Sequence, residues 1–425
     1  MTTPEQNDFL TRTGPGTPMG NLFRRYWIPA LLASEVPEPD CPPVRVKLLS
    51  ERLLAFRDTQ GRVGVIDEFC AHRGVSLWFG RNEESGLRCA YHGWKYDFTG
   101  QCIEVPSEPV ESGFCRRIKL TSYPCVELGD VIWVYMGPPA LQPPLPGFEW
   151  AKVPPSHRFV SKRTQECNYL QAMEGGIDSA HVSFLHRHDL RSDALHVGKG
   201  AELTRETDAR FEVVETAGGM VIGVRRPAPD GQLYWRITQW IMPCHSMIPP
   251  YGENALNGHA WVPVDDDSCM AWCFTHHPAR PLGAGERASM RDGGGIHVKL
   301  IPGSFRPTVN KDNDYLIDRA AQRASKTYSG VAGIAMQDAA IQESMGPIQD
   351  RSKENLVSTD NGVIMARIRL RKAALAAQQG REPDGVDPAT HAVRSASIVL
   401  PESVGFYEAA ADALRVKEGV AHTSV

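Results

Sequence analysis

The chain has 425 residues, of which 42% are hydrophobic and 23% are charged, and its formal net charge is −4. This composition is ordinary for a globular protein of two or three domains, and it gives no reason to expect nucleic acid or an anionic membrane as a partner. No apolar run approaches the roughly 20 residues of a spanning helix, and the first residues lack the basic-then-apolar pattern of a signal peptide. We therefore expect a cytoplasmic protein.

The first third of the chain predicts a small β domain. Short β-rich runs lie at 44–58 and 61–70, and two further strand–turn–strand patterns lie at 95–105 and 125–137. Short strands separated by Gly, Asp and Pro turns favour an antiparallel arrangement. The Pro-rich stretch "GPPALQPPLPG" then indicates a domain edge, so we assign an N-terminal segment and this β domain to residues 1–150 and a second domain to residues 151–425.

The second domain predicts helices and a larger antiparallel sheet. Helical spacing of apolar residues covers "NYLQAMEGGIDSAHVSFLH" (168–186), and alternating runs follow between residues 210 and 277. The Gly-rich stretch 281–305 predicts a long mobile loop. Two later patterns predict helices, "GIAMQDAAIQESMGP" and "NGVIMARIRLRKAALAAQQG". The second of these has Asp360 or Asn361 as its N-cap, ends at Gly380, and is expected to turn its basic face to solvent.

Ten cysteines are scattered along the chain. A disulfide framework would be denser and would need an oxidising compartment, so most of them are expected to be buried apolar residues. Two cysteines differ because each has a histidine close by in sequence. The pairs are Cys70 with His72 and Cys89 with His92, at the two ends of "CAHRGVSLWFGRNEESGLRCAYHGW".

Three interpretations of these pairs are open: zinc, an iron–sulfur cluster, or coincidence. A tetrahedral zinc site could use the same ligand types, but zinc sites with two Cys and two His usually keep the cysteines together and the histidines together. One Cys and one His per loop is the arrangement of a Rieske-type 2Fe–2S centre, where two thiolates hold one iron and two imidazoles the other. The glycines at 74, 86 and 93 would let backbone N–H groups approach the sulfides, and Trp94 is expected to cover the cluster.

This segment resembles the Rieske domain of the ring-hydroxylating oxygenases. Respiratory-chain Rieske proteins add a disulfide between the two loops, whereas Arg73, Gly74 and Ala90 occupy the neighbouring positions here, so no such bridge can form. The rest of the chain should then contain the acceptor of the electrons.

The acceptor is predicted at a second metal site. His181 and His186 lie five residues apart and Asp178 precedes His181 by three. Taken alone, the two histidines could simply cap a helix. Glu174, Asp178, His181 and His186 together, however, resemble the mononuclear iron motif of the same oxygenases, in which two histidines and one carboxylate leave positions open for dioxygen and substrate. His188 is an alternative to His186 that fits the family spacing poorly.

The resemblance also implies the remaining parts of the site. It places a third iron ligand at the start of a late helix, where Asp338 is the candidate and Glu343 the fallback. In the family an aspartate links the Rieske cluster of one subunit to the iron of the next, and Asp178 matches it. This implies a homo-oligomer, a trimer or stacked trimers. Asn168 and Gln171 are candidates to hydrogen-bond the iron-site residues.

Residues 20–375 resemble the phthalate-dioxygenase-like branch of these oxygenases. The implied fold is α+β: a small antiparallel Rieske domain and a larger domain whose antiparallel sheet is flanked by helices, of the helix-grip type. The implied substrate is an aromatic carboxylate, which needs an arginine in an apolar pocket. Arg236 is the first candidate and Arg210 the second, and for either one a surface salt bridge remains an equal alternative.

The resemblance finally implies a reaction and its partners. A separate NADH-dependent flavin and 2Fe–2S reductase would supply electrons, and O2 would add to the ring as a cis-dihydrodiol. Monooxygenation or O-demethylation of a substituted benzoate is the alternative reaction. A non-enzyme alternative is an electron-transfer protein whose second domain only serves assembly.

Overall fold

The computed structural model describes residues 2–193, 195–196, 198–422 and 424–425. It contains two compact units, one formed by Phe23–Pro143 and the other by the chain up to Leu22 together with Pro144–Val425. The N-terminal segment, which the sequence places with the first domain, packs instead within the larger unit. The reason is specific bonding, since the Tyr169 hydroxyl donates to the Leu10 carbonyl at 2.8 Å.

The smaller unit is built from ten short strands in three antiparallel sheets. Their orders are β1-β10-β9, β2-β3-β4 and β5-β6-β7-β8. The predicted runs at 44–58 and 61–70 form the second sheet, and those at 95–105 and 125–137 form strand pairs of the other two. The bounds are β1 Trp27–Leu32, β2 Val44–Leu48, β3 Glu51–Arg57, β4 Val63–Asp67, β5 Arg81–Glu83, β6 Gly86–Arg88, β7 Lys95–Tyr96, β8 Cys102–Glu104, β9 Cys125–Leu128 and β10 Val131–Tyr135.

The larger unit contains one antiparallel sheet of eight strands. Its order is β11-β17-β16-β15-β14-β13-β12, and β18 pairs with β14. The alternating runs between residues 210 and 277 account for β12–β14, β16 and β17, which confirms the predicted sheet. The bounds are β11 Arg158–Gln165, β12 Arg210–Glu215, β13 Gly219–Pro227, β14 Gln232–Ile241, β15 His245–Ile248, β16 Leu256–Pro263, β17 Cys269–His276 and β18 Ala396–Pro401.

Eleven α-helices are present in the described part of the chain. They are α1 Pro4–Thr11, α2 Pro18–Phe23, α3 Glu149–Lys152, α4 Tyr169–Ile177, α5 Asp189–Ser192, α6 Lys199–Leu203, α7 Ala284–Arg291, α8 Arg319–Arg323, α9 Ile334–Glu343, α10 Asn361–Gln378 and α11 Phe406–Ala410. Among these described helices none has the length and apolar character needed to cross a membrane. The α+β fold predicted from the sequence is confirmed.

The helix predicted over 168–186 is wrong in its length. Helix α4 ends at Ile177, and Asp178 adopts an extended conformation with φ −86° and ψ 111°. Its carboxylate accepts the Ala180 N–H at 2.7 Å, which replaces a helical bond by a local turn. The end of α4 at this point separates the helix from the segment with both histidines, in which His181–Ser183 form a short 3₁₀-helix.

Two other expectations are corrected. The Gly-rich stretch 281–305 contains helix α7, whose start is capped because the Glu286 carboxylate accepts the Gly283 N–H at 2.6 Å. Helix α10 has the predicted N-cap Asp360 and is followed by Gly380 at φ +76°. Its basic face is nevertheless partly buried, since Arg367 and Arg369 are enclosed in the protein and bonded to acidic side chains.

Candidate active site

The two Cys–His loops of the smaller unit share one turn geometry. The Cys70 N–H donates to the Val75 carbonyl at 2.9 Å, and the Gly74 N–H donates back to the Cys70 carbonyl at 2.9 Å. The second loop repeats both bonds at the equivalent positions after Cys89. Gly74 has φ +71°, a value that favours glycine. Gly86 instead belongs to the β5–β6 hairpin, where it pairs with Glu83, so its expected approach to the sulfides is not seen.

The four predicted cluster ligands differ in their exposure to solvent. Cys70 and Cys89 are each 3% exposed, whereas His72 and His92 are exposed and their ring centroids lie 4.5 Å apart. Trp94 stacks on His72 at 4.6 Å with 7° between the rings, as expected for a covering side chain. Buried thiols beside exposed imidazoles fit a 2Fe–2S cluster whose thiolate iron is enclosed and whose imidazole iron faces the surface.

Tyr96 is a further residue of this site that the sequence reasoning missed. Its buried hydroxyl lies 3.2 Å from the Cys70 sulfur and accepts the Ala71 N–H at 3.1 Å. Burial and the contact with Cys70 raise the pKa of Tyr96, so the hydroxyl keeps its proton and can donate it to a thiolate. In the sequence, the position of Tyr96 in a short strand predicted only that its side chain would be buried.

In the larger unit, His181, His186 and Asp338 converge. One ligand atom from each side chain can be chosen so that all three lie within 4.8 Å of one another. The Asp338 Oδ1 atom is 3.1 Å from His186 Nε2 and 3.5 Å from His181 Nε2. Two imidazoles and one carboxylate facing one point fit a single divalent iron with open coordination positions.

The two alternative ligands do not join this group. Glu343 is engaged elsewhere, because its carboxylate accepts the Glu166 N–H at 3.0 Å and the Tyr315 hydroxyl at 2.6 Å. His188 is not among the three side chains that converge on the point.

Each converging histidine is held at its other ring nitrogen. Asp178 Oδ2 lies 3.3 Å from His181 Nδ1, and Gln337 Oε1 lies 2.7 Å from His186 Nδ1. The Gln337 amide in turn donates to Asp189 at 2.7 Å. With Nδ1 acting as donor, Nε2 is left as the nitrogen that faces Asp338. Gln337 was not predicted, and only its place beside Asp338 in the sequence could have suggested it.

The charges of the site attract one another. Burial by itself would raise the pKa of Asp338, yet the neighbouring His186 and His181 lower it to about 2. Burial by itself would lower the pKa of His181, yet the hydrogen bond that its Nδ1 donates to Asp178 raises it. The carboxylates are therefore ionised at neutral pH, as a metal ligand set requires.

These side chains line a cavity that also contains arginines. Arg236 on β14 is 8% exposed, lies in the cavity wall, and donates from Nη1 to the Ser179 hydroxyl at 3.1 Å. Arg210, the second substrate candidate, lies on the edge strand β12 and is exposed beside Asp208 at 3.1 Å. Arg210 is absent from the cavity wall, so the structure does not bring it to the three converging side chains. The remaining wall is largely apolar, with Leu190, Ile248, Trp261, Ile296 and Ile334.

Asn168 and Gln171 do not hydrogen-bond the iron-site residues as expected. Asn168 caps α4 by accepting the Leu170 N–H at 3.0 Å and donates to the Thr11 carbonyl at 2.9 Å. Gln171 donates to the Gln342 carbonyl at 3.0 Å, which joins α4 to the helix that carries Asp338. Both residues stabilise the scaffold of the site.

Comparison with known proteins matches two families along the chain. Residues 26–124 match the Rieske [2Fe-2S] domain family, and residues 134–418 match the family described as LigXa C-terminal domain like. The crystal structure of dicamba monooxygenase bound to dicamba has the same fold, with a TM-score of 0.58 at 19% identity over 84% of this chain and 99% of that one.

Two curated relatives cover nearly the whole chain. The 3-chlorobenzoate-3,4-dioxygenase oxygenase subunit of Comamonas testosteroni is 38% identical over 95% of this chain and 96% of its own length. The phthalate 4,5-dioxygenase oxygenase subunit of Pseudomonas putida is 40% identical over 90% of this chain and 88% of its own length. Similarity of this extent to oxygenases excludes the electron-transfer-only alternative. The chain belongs to the Rieske non-haem iron ring-hydroxylating oxygenases, in their phthalate-dioxygenase-like branch, as an oxygenase subunit with a 2Fe–2S cluster and a mononuclear iron.

Proposed function

We propose that this protein is the terminal oxygenase that adds both atoms of O2 to an aromatic carboxylate, giving a cis-dihydrodiol. Two electrons per turnover come from a separate NADH-dependent flavin and 2Fe–2S reductase, in the cytoplasm where NADH is made. The observation that carries the proposal is the shared cavity of Asp338, His181 and His186 with the buried Arg236.

The chain has a fitting set of side chains for each cofactor. Cys70, Cys89, His72 and His92 would hold the cluster, and the convergent group His181, His186 and Asp338 would hold the iron. When bound, the cluster and the iron supply single-electron transfer and dioxygen activation. Tyr96 would donate a hydrogen bond to the Cys70 sulfur and stabilise its negative charge.

Arg236 would bind the carboxylate of the substrate. Its Nη2 atom makes no hydrogen bond in the described part of the protein, while Nη1 and Nε are positioned by Ser179 and Tyr251 at 3.1 and 3.4 Å. A guanidinium can hold a carboxylate through two parallel bonds. The apolar wall would then position the ring next to the three iron ligands and exclude water.

Asp178 would link the two metal sites across subunits. Its carboxylate positions His181 and could hold a proton while an electron moves between the centres. A second groove in the larger unit also reaches Asp178 and is bordered by Ile341, Met345 and Leu356, which are each at least 40% exposed. Exposed apolar side chains around a half-buried carboxylate support coverage by a neighbouring subunit, in a trimer or in stacked trimers.

The test is a panel of substituted benzoates with a reductase, NADH and ¹⁸O₂. The proposal predicts a diol that contains two ¹⁸O atoms for at least one aromatic carboxylate and none when the carboxylate is replaced by an amide. One ¹⁸O atom in the aromatic product would support monooxygenation, and an unlabelled phenol formed together with labelled formaldehyde would support O-demethylation. NADH oxidation without conversion of any aromatic substrate would exclude all three reactions.

A further inference from the structure

We propose that Arg226 is a positioning residue of the mononuclear iron site, because its guanidinium fixes the turn that presents Asp178 and His181. Arg226 lies on β13 and is not among the residues that line the cavity, so it acts through the turn and not on the substrate. The inference rests on the iron site of the proposed function but not on the substrate of that function. It can therefore be tested without a substrate.

The turn that carries His181 begins where α4 ends. It leaves the helix at Asp178, and its residues Ser179 and Ser183 are each 1% exposed. Backbone groups that are enclosed in this way need hydrogen-bond partners from the protein. The bonds from the Ala180 N–H and from His181 Nδ1 to the Asp178 carboxylate connect the turn only to itself. Its position relative to the sheet must therefore be fixed by other groups.

Arg226 fixes the turn at both of its ends. Its Nη2 atom donates to the Ser179 carbonyl at 2.6 Å and to the Ser183 hydroxyl at 3.2 Å. Its Nε atom lies 3.3 Å from the same hydroxyl and donates to the Glu206 carbonyl at 3.0 Å. His181 lies midway between the two serines in sequence, so one planar guanidinium spans the segment that presents this ligand.

A second arginine holds the same turn at a different atom. Arg236 Nη1 donates to the Ser179 hydroxyl at 3.1 Å, while Arg226 binds the carbonyl of the same residue. In the pairing of β13 with β14, Arg226 lies opposite Tyr234 and Arg236 lies opposite Val224, so both arginines are on one face of the sheet. Ser179 is thus bonded to two neighbouring strands.

The burial of Arg226 agrees with a positioning role more than with a contribution to stability. Its side chain is fully buried, and its hydrogen-bond acceptors in the described structure are hydroxyl and carbonyl oxygens. Burial and the nearby charge of Arg236 lower the pKa of Arg226 to about 10, so the guanidinium is still charged at neutral pH. A buried cation without an ionic partner is costly, and an apolar side chain could fill the same space at a lower cost.

The arrangement depends on the shape of the guanidinium as well as on its charge. Arg226 donates from two nitrogens that are fixed in one plane, whereas a lysine ammonium is a single point charge on a flexible chain and cannot span both ends of the turn. The other ligand histidine, His186, is held separately by Gln337 on α9. Loss of the guanidinium should therefore disturb His181 and leave the position of His186 unchanged.

The test measures iron binding and the spectrum of the iron site in the holoenzyme. Arg226→Met removes the guanidinium and keeps a long apolar side chain, and we expect it to reduce the affinity for mononuclear iron by about 10- to 100-fold. Iron per chain after dialysis against increasing concentrations of a chelator gives this affinity. The EPR spectrum of the nitric oxide adduct of the iron should also change, whereas the spectrum of the reduced cluster should not.

The matched control is Arg225→Gln. Arg225 lies on the same strand, but its side chain is on the opposite face and is 33% exposed, so its replacement should change neither the iron affinity nor the adduct spectrum. Arg226→Lys keeps the charge without the planar group and should lose iron as Arg226→Met does. A lysine variant with the iron affinity and the adduct spectrum of the unsubstituted protein would contradict the inference.

A purely structural role of Arg226 would give a different pattern. If Arg226→Met lowers the thermal stability but retains the iron affinity and the adduct spectrum, the inference is overturned and the proposed function stands. If Arg226→Met does not fold, Ser183→Ala removes one bonded hydroxyl and keeps the arginine. A loss of iron affinity of about threefold to tenfold in Ser183→Ala supports the inference, and an unchanged affinity and spectrum contradict it. An unsubstituted protein that binds no mononuclear iron would instead count against the proposed function.

Discussion

A single buried hydroxyl contacts one sulfur ligand of the predicted cluster. Because the Tyr96 oxygen lies 3.2 Å from Cys70 Sγ, it stabilises the thiolate more as the cluster gains an electron. We therefore expect Tyr96→Phe to lower the reduction potential of the cluster by about 60 mV, the equivalent of one hydrogen bond to a charged group. A spectroscopic redox titration measures the shift.

The control for this variant is Tyr91→Phe. Tyr91 is exposed, and its ring contacts that of His92 at 3.9 Å, so removal of its hydroxyl should leave the potential unchanged. An equal shift in both variants would show that the Cys70 contact is not the cause.

Gln337 determines which nitrogen of His186 faces the iron site. Loss of its carbonyl leaves His186 Nδ1 without its acceptor, so we expect Gln337→Leu to reduce iron affinity at the mononuclear site by about 10- to 100-fold. The cluster spectrum should stay the same because the change lies in the other unit. The measurement is iron per chain after dialysis against a weak chelator.

For Gln337→Leu the matched control is Gln379→Leu, an exposed position that follows α10. It should retain about three irons per chain, two in the cluster and one in the mononuclear site. If Gln337→Leu also retained all of its iron, the proposed role of Gln337 in positioning His186 would be contradicted.

At the scale of elements, a buried ion cluster joins distant parts of the larger unit. Glu149 on α3 pairs with Arg394 just before β18 at 2.6 Å and with His276 on β17 at 3.4 Å. Burial alone would raise the pKa of Glu149, but Arg394 and His276 lower it from 4.5 to about 2. A lowered pKa means that the carboxylate stabilises the fold above its unfolded pKa and that this contribution is lost as pH falls from about 4.5 towards 2.

We expect Glu149→Gln to lower the free energy of unfolding by about 3 kcal/mol at pH 7. The difference from the unsubstituted protein should shrink as pH falls below 4.5. Denaturant titrations at several pH values measure it, with the exposed Glu402→Gln as a control that should be nearly neutral. A difference that stays constant from pH 7 to pH 3 would contradict the ion-pair explanation.

The helices and strands also show which parts of the fold local sequence patterns can predict and which they cannot. The strands between residues 210 and 277 could be predicted because alternation reflects two faces of a sheet. The end of α4 at Ile177 could not, since it depends on the carboxylate of Asp178 replacing a helical bond. Glu174 fitted a metal motif, but the structure pairs it with Arg351 and Arg367.

The site itself was predicted unevenly for a similar reason. His181, His186 and Asp338 could be predicted as metal ligands because a family resemblance assigned that role to their positions. Gln337 looks like any buried polar residue in sequence. Its importance comes from its contact with His186, which spans 151 positions of the chain.

At the scale of the whole molecule, the account predicts complementation between subunits. A His72→Ala variant would lack a working cluster and an Asp338→Ala variant would lack the iron, so each should be inactive alone. Oligomers reassembled from equal amounts of both should regain roughly a quarter of wild-type activity, the fraction of interfaces that combine an intact donor with an intact acceptor. Oligomers that contain both variants and remain inactive would contradict electron transfer between subunits.

The most direct test of the central claim is one turnover of the protein without its reductase. The holoenzyme is reduced chemically, freed of reductant, and mixed with an aromatic carboxylate and ¹⁸O₂, and the product is analysed by mass spectrometry. The account predicts a ring product with two ¹⁸O atoms, formed with oxidation of the cluster and abolished by Asp338→Ala. The account would be contradicted by two results together. The unsubstituted protein would give no labelled ring product, and its cluster would be oxidised at the same rate as the cluster of Asp338→Ala.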